Sequence, residues 1–130
     1  MDDTTTPSFA LQEFLGFRME KGEGRATATL DLDDRHHNPN GIAHGAIPFT
    51  LMDTAMGAAV MSVTPAGHIC ATIEIHTRFV AAATSGTLTA EATVISAGRR
   101  IVHTEARTTD ASSPLIATAT ASFAIIAPRS

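Results

Sequence analysis

Between His44 and Ser62 the chain carries one charged side chain, Asp53. Leu51, Met52, Ala55, Met56, Ala58, Ala59, Val60 and Met61 leave almost no polar stripe on a helical wheel. A helix apolar nearly all round is a buried helix. This one is too short, and too rich in Gly and Ala, to be a membrane span. Gly45 and Pro48 fit its start, because the first turn tolerates a missing N–H. Thr64-Pro65-Ala66-Gly67 ends it. The rest of the chain must therefore supply a surface to cover one long helix.

Strand-like alternation supplies it. Arg25–Leu32 sets Ala26, Ala28, Leu30 and Leu32 against Arg25, Thr27, Thr29 and Asp31. That is the period of a half-buried strand. Phe14–Glu20 is expected to form an irregular first strand. The polar run Asp33–Gly41, with Asn38-Pro39-Asn40-Gly41, reads as a loop. Four more strands are predicted at Ile69–Val80, Thr87–Ser96, Arg100–Thr109 and Leu115–Ile126. Gly98 and Asp110–Pro114 mark the turns between the last three. Short connections favour antiparallel neighbours. The expected class is α+β: one domain over residues 1–130, with an antiparallel sheet of about five or six strands wrapped around one long central helix. An open sheet of this kind often continues across a dimer.

Composition narrows the function. Nine basic against thirteen acidic residues give a net charge of −4, which argues against nucleic acid or an anionic membrane as partner. Cys70 is the only cysteine, so an internal disulfide and a cysteine-based zinc site are excluded. No pair of histidines flanks a carboxylate at helical spacing, so no metal is expected. His36 and His37 are sequence neighbours and should point apart. The opening Met1-Asp2-Asp3-Thr4-Thr5-Thr6 is unlike a signal peptide and predicts a soluble, cytoplasmic protein.

Asp53 is the residue that composition does not explain. An unpaired carboxylate in an apolar setting is costly. It is either satisfied by a nearby Thr or Arg, or kept as a nucleophile or general base. Gly45 offers a second clue. The free N–H groups at a helix start attract developing negative charge and can polarise a carbonyl. Gly45 and Asp53 are 8 residues apart in the sequence. That puts them roughly 12 Å apart along one helix, too far to share a reacting carbonyl. Two antiparallel copies would bring one subunit's Gly45 to the other's Asp53. An active site here therefore predicts a symmetric dimer with two shared sites.

At these residues the chain resembles the hotdog-fold thioesterases of the phenylacetate-pathway type. The family pattern is a loop Asn, then Gly-x-x-His-Gly-Gly, then a buried helix with an acidic residue. Here it runs from Asn38 through Gly41, His44 and Gly45 to Asp53, with Ala46 at the second Gly. The resemblance implies a hotdog fold and hydrolysis of a small, medium or aromatic acyl-CoA to the free acid and CoA. It implies that Asp53 activates water or attacks the thioester, and that the Gly45 N–H polarises the carbonyl. It further implies that Asn38 orients carbonyl or water, and that a Ser or Thr early in the next long strand assists. Thr72 is the match for that last role, although alternation sets it with Glu74, His76 and Arg78 unless a bulge intervenes. CoA is part of the substrate, so no cofactor is required. The expected partners are an acyl-CoA and a second copy of the chain, as a homodimer or a dimer of dimers.

The remaining candidates carry two readings each. Asn40 is a second loop amide beside Asn38. His44 holds the loop, or takes part in acid–base chemistry. Arg99 and Arg100 at the Gly98 turn are a solvated hairpin tip, or a contact for CoA phosphates. Met52, Met56 and Met61 fill the core, or line an acyl pocket. Two other functions stay open on the same fold. One is a non-catalytic acyl-CoA sensor, against which Asp53 argues. The other is an enoyl-CoA hydratase or dehydratase, whose pattern is near Asp-x-Asn-Pro-x-His; here His36 and His37 precede Asn38-Pro39, and His44 comes later than that pattern needs.

Overall fold

A computed structural model describes residues 7–112 and 114–129. The reading of residues 1–6 as unlike a signal peptide lies outside these. A short helix α1 (Ala10–Leu15) precedes strands β1 (Arg18–Gly22) and β2 (Arg25–Asp31). After a 3-10 turn at Asp34–His36 comes the long helix α2 (Ala46–Met61). Four strands complete the chain: β3 (Ile69–Phe79), β4 (Thr87–Ala97), β5 (Ile101–Thr109) and β6 (Leu115–Ile126). The strands form one six-stranded sheet in the order β1-β2-β4-β5-β6-β3. Every pairing is antiparallel.

The alternating faces pack where their period demands. Ala26, Ala28 and Leu30 of β2 and Leu88, Ala90 and Ala92 of β4 are buried. They meet Leu51, Met52, Met56 and Val60 of α2. Met52 and Met56 are therefore core residues rather than a pocket lining. The sheet curls over the helix because small side chains, mostly Ala, face it.

Two expectations are corrected. Phe14 and Leu15 belong to α1, not to a first strand. Gly16 ends that helix in the left-handed region, at φ 87°, and its N–H returns to Gln12 O at 2.7 Å. The strand can begin only after this reversal, at Arg18. The helix α2 is also not covered all round. Phe49 (38%) and Met61 (36%) are exposed, while Asp53 and Gly57 are half-exposed between them. These positions recur every four residues and form one stripe. The chain's own sheet does not cover it.

Candidate active site

Asp53 lies on that open stripe. Its one hydrogen bond among the described residues comes from Thr72, whose hydroxyl donates to Oδ1 at 3.0 Å. The ion pairs among the described residues all lie elsewhere. Asp53 is thus held by a neutral donor and not neutralised by a cation.

A bulge makes the contact possible. Thr72 pairs with Phe123, and the next register pair is Glu74 with Ser122. Ile73 is the extra residue, 53% exposed. Phe123 is a buried core residue, so its partner Thr72 faces the helix too. Strict alternation would have turned Thr72 to the outer face. Cys70 lies on the same inner side, with its thiol 3.8 Å from Gly57 O. Burial, and then the Asp53 carboxylate, push that thiol above its ordinary value. It stays protonated and unreactive at neutral pH.

Gly45 sits at the other end of the stripe, as the N-cap of α2. The Ala46 N–H donates to His44 Nδ1 at 2.9 Å, and the Ile47 N–H to His44 O at 2.8 Å. Pro48 has no N–H. Among the described residues no acceptor takes the Gly45 N–H. It is left at the positive end of a 16-residue helix. His44 thus holds this end from the position before the cap, with its Nδ1 committed as an acceptor. A Cβ on Gly45 would stand 3.2 Å from Phe79 Cε1, so glycine lets the ring of β3 press on the helix start.

The loop before the helix brings in Asn38. Its Oδ1 accepts the Asn40 N–H at 2.8 Å, which fixes the amide so that its NH2 is the free end. Asn38, Gly45, Pro48, Phe79 and Ile116 line an apolar cavity of about 410 Å³. Asn40 is exposed in the turn and is not part of that lining. Its backbone shapes the loop; its side chain does not join Asn38.

Sequence reasoning missed the anchor of this loop. His36 is 1% exposed. Its Nδ1 accepts the Asp33 N–H at 2.9 Å, so Nε2 carries the proton and donates to Leu15 O at 2.7 Å. His36 O accepts the His44 N–H at 2.8 Å. One imidazole thereby ties α1 to the segment that ends at Gly45. Asp33 supports the turn, and hydrogen bonds from Arg35 hold its carboxyl below the usual range. His37 points elsewhere, with Nε2 2.9 Å from Thr84 O.

Within one chain these groups do not converge. Gly45 and Asp53 lie roughly 12 Å apart along α2. Arg99 and Arg100 lie beyond Asp53, on an exposed turn beside His68 near the C-terminal end of the helix. Among the described residues no group of three His, Cys, Asp or Glu side chains could hold a metal.

Known proteins share this outline. The family model for the thioesterase superfamily matches residues 40–117. The 1,4-dihydroxy-2-naphthoyl-CoA hydrolase of Listeria monocytogenes is 28% identical over 117 residues, covering 88% of this chain and 94% of the relative. A thioesterase structure from Haemophilus influenzae superposes with a TM-score of 0.87 at 25% identity, covering 92% of this chain and 85% of its own. The phenylacetic acid degradation-related protein of Ralstonia eutropha gives a TM-score of 0.83 at 23% identity, covering 92% of each chain, and is similar in fold.

Proposed function

The chain belongs to the thioesterase superfamily and has its hotdog fold, and from that premise we propose that it hydrolyses an acyl-CoA thioester in sites shared between two subunits. The observation that carries this reading is the Asp53 carboxylate, met only by the Thr72 hydroxyl, on a helix face its own chain leaves open.

In the proposed reaction, the thioester carbonyl oxygen accepts the N–H of one subunit's Gly45. Charge that develops on this oxygen meets a fixed dipole and needs no reorganisation. Asp53 of the other subunit takes a proton from water as the water oxygen attacks the carbonyl carbon. In the alternative route, the carboxylate attacks the carbon itself and water then cleaves the resulting anhydride. Either way the C–S bond breaks, the acid is released, and the CoA sulfur ends as a thiol. Thr72 orients the carboxylate by donating to Oδ1. The free NH2 of Asn38 reaches for the carbonyl or the water, and His44 keeps the Gly45 end in place. CoA arrives as part of the substrate, so the chemistry calls for no further cofactor.

The acyl group would enter the apolar cavity beside Gly45. Its volume of about 410 Å³ and its lining of Pro48, Phe79 and Ile116 suit a medium or aromatic acyl group. The naphthoyl thioester named for the Listeria relative supports an aromatic one. Arg99 and Arg100 would meet the CoA phosphates. The open edge of β3 and the open stripe of α2 both favour a homodimer, which a dimer of dimers would extend. CoA thioesters argue for a cytoplasmic protein. No helix among the described residues is long and apolar enough to cross a membrane.

The test is thiol release from short, long and aryl acyl-CoAs by the wild type and Asp53→Asn. The expected outcome is turnover best on an aryl ester, falling about 10²–10⁴-fold in the variant. Turnover that survives the substitution would remove Asp53 from the chemistry. Tight binding of the esters without turnover would make the protein an acyl-CoA sensor instead.

A further inference from the structure

Phe14 and Leu15 stand at the C-terminal end of α1, where carbonyls run out of helical N–H partners. Two consecutive side chains of the 3-10 turn at Asp34–His36 take these carbonyls instead. The Arg35 Nη1–H donates to Phe14 O at 2.9 Å, and the His36 Nε2–H to Leu15 O at 2.7 Å. The two bonds differ in their surroundings. The Arg35 side chain is half-exposed and Phe14 is exposed, so water can stand in for the guanidinium. His36 is buried, so water cannot stand in for its N–H. Without that donor, the Leu15 carbonyl loses its partner at a cost that hydration does not recover.

The same residue closes the loop that carries the carbonyl-binding groups. His36 O accepts the His44 N–H, and His37 bridges to Ala43, so these four residues form a two-stranded stem. Asn38 leaves the stem on one strand, and Gly45 follows the other directly. The stem is gripped from two sides. On one side the Ala43 N–H donates to Ala83 O at 2.7 Å, and His37 Nε2 lies 2.9 Å from Thr84 O. On the other side the His36 ring holds it to α1. Loss of the second grip would leave the stem free to pivot about the first, and Asn38 and Gly45 would move with it.

The two ring nitrogens of His36 do separate jobs. Nδ1 accepts the Asp33 N–H at 2.9 Å and closes the turn on itself, whereas Nε2 reaches out to α1. Two amide side chains can divide these jobs. Asparagine sets a carbonyl oxygen where Nδ1 stands, which keeps the turn and drops the reach to α1. Glutamine sets an NH2 where Nε2 stands, which keeps the reach and drops the bond within the turn.

We propose that His36 is a positioning residue for the carbonyl-binding half of the site, and that it acts through the Nε2–H bond to Leu15 O rather than through the turn. The proposal rests on the hydrolase reading above, whose Asn38 and Gly45 it holds in place. A reacting group about 1 Å out of position can cost about 10²-fold in rate. Thiol release by His36→Asn is therefore expected to show kcat about ten- to a hundredfold down with KM little changed. His36→Gln is expected to restore most of that loss. Melting curves fix a temperature at which both variants are folded, so that kcat reads the folded enzyme. A merely structural His36 would leave that kcat alone in both. Arg35→Ala cuts the neighbouring bond to Phe14 O and should stay near the wild-type rate. A His36→Gln enzyme as slow as His36→Asn, or a His36→Asn enzyme as fast as the wild type, would overturn the proposal. Two readouts need no turnover. Nitrogen NMR of the wild type should find the His36 ring protonated on Nε2 and bare on Nδ1, and the opposite tautomer would overturn the bond to α1 whether or not any variant folds. Amide exchange at the His44 N–H should quicken in His36→Asn and not in His36→Gln. If the wild type hydrolyses no acyl-CoA while exchange divides in this way, the hydrolase reading falls and the hold of His36 on the loop stands. If the wild type hydrolyses and neither kcat nor exchange divides the variants, the positioning role falls and the hydrolase stands.

Discussion

Gly45 combines two requirements that can be pulled apart. It must leave room for Phe79, and on the proposed reading it must keep its N–H for a ligand. An added Cβ meets only the edge of the ring, at 3.2 and 3.3 Å from Cε1 and Cζ, and a ring edge can yield by a few tenths of an ångström. Gly45→Ala therefore keeps the N–H at a small steric cost and should lose activity only several-fold. The backbone at Gly45 has φ −55° and ψ −27°, which proline can adopt. Gly45→Pro keeps that geometry and deletes the donor. The expected loss in kcat is about 10²–10³-fold, the usual effect of removing one oxyanion donor. Steady-state kinetics on the two variants, with melting curves to show that both are folded, isolates the N–H. Equal losses from Ala and Pro would mean that the glycine matters for space alone.

At the scale of elements, the Thr72–Asp53 contact is made by an irregularity in a strand. A straight β3 containing Ile73 would send Thr72 outward. The bulge lets one residue drop out of phase, so that Thr72 follows Cys70 inward. Thr72→Val removes a hydrogen bond to a charged group while keeping the shape. Such bonds contribute about 1.5–3 kcal/mol, so kcat should fall roughly ten- to a hundredfold with KM little changed. Deleting Ile73 straightens the strand without turning Thr72, since Thr72 would then precede Glu74 in regular alternation. The deletion is expected to retain more activity than Thr72→Val. If it retains less, the bulge does more than set the phase of one side chain.

At the scale of the whole molecule, the proposed reading gives one chain two half-sites at separate places on one helix. On that reading neither the Gly45 end nor Asp53 is complete alone; the stripe between them is open. A shared site makes a prediction that an intrachain site does not. Asp53→Asn and Gly45→Pro should each be nearly inactive as homodimers. Mixed and allowed to exchange subunits, half of the dimers are hybrids, and each hybrid rebuilds one native site of two. Thiol release should then recover to about a quarter of the wild-type rate. Recovery of nothing, with exchange verified by mass, would place both groups' work within one subunit.

The sequence by itself determined α2, the alternating faces of β2, β4 and β6, the loop around Asn38, and Asp53 as a charge out of place. These features arise from local periodicity and from the cost of burying or exposing particular side chains, and the residues concerned carry that information themselves. Tertiary structure alone decided the rest. Phe14 and Leu15 became helical because Gly16 reverses the chain, while Gln12 and His36 fasten α1 to Phe17 and to the turn before α2. Thr72 reached Asp53 because pairing with β6, near the far end of the chain, forces out Ile73. Phe79 came to rest on Gly45 because β3 crosses the helix start. Each of these outcomes depends on register between segments distant in sequence. Such register is fixed only when all the strands close on the helix together, because no short window of residues contains both partners of the contact.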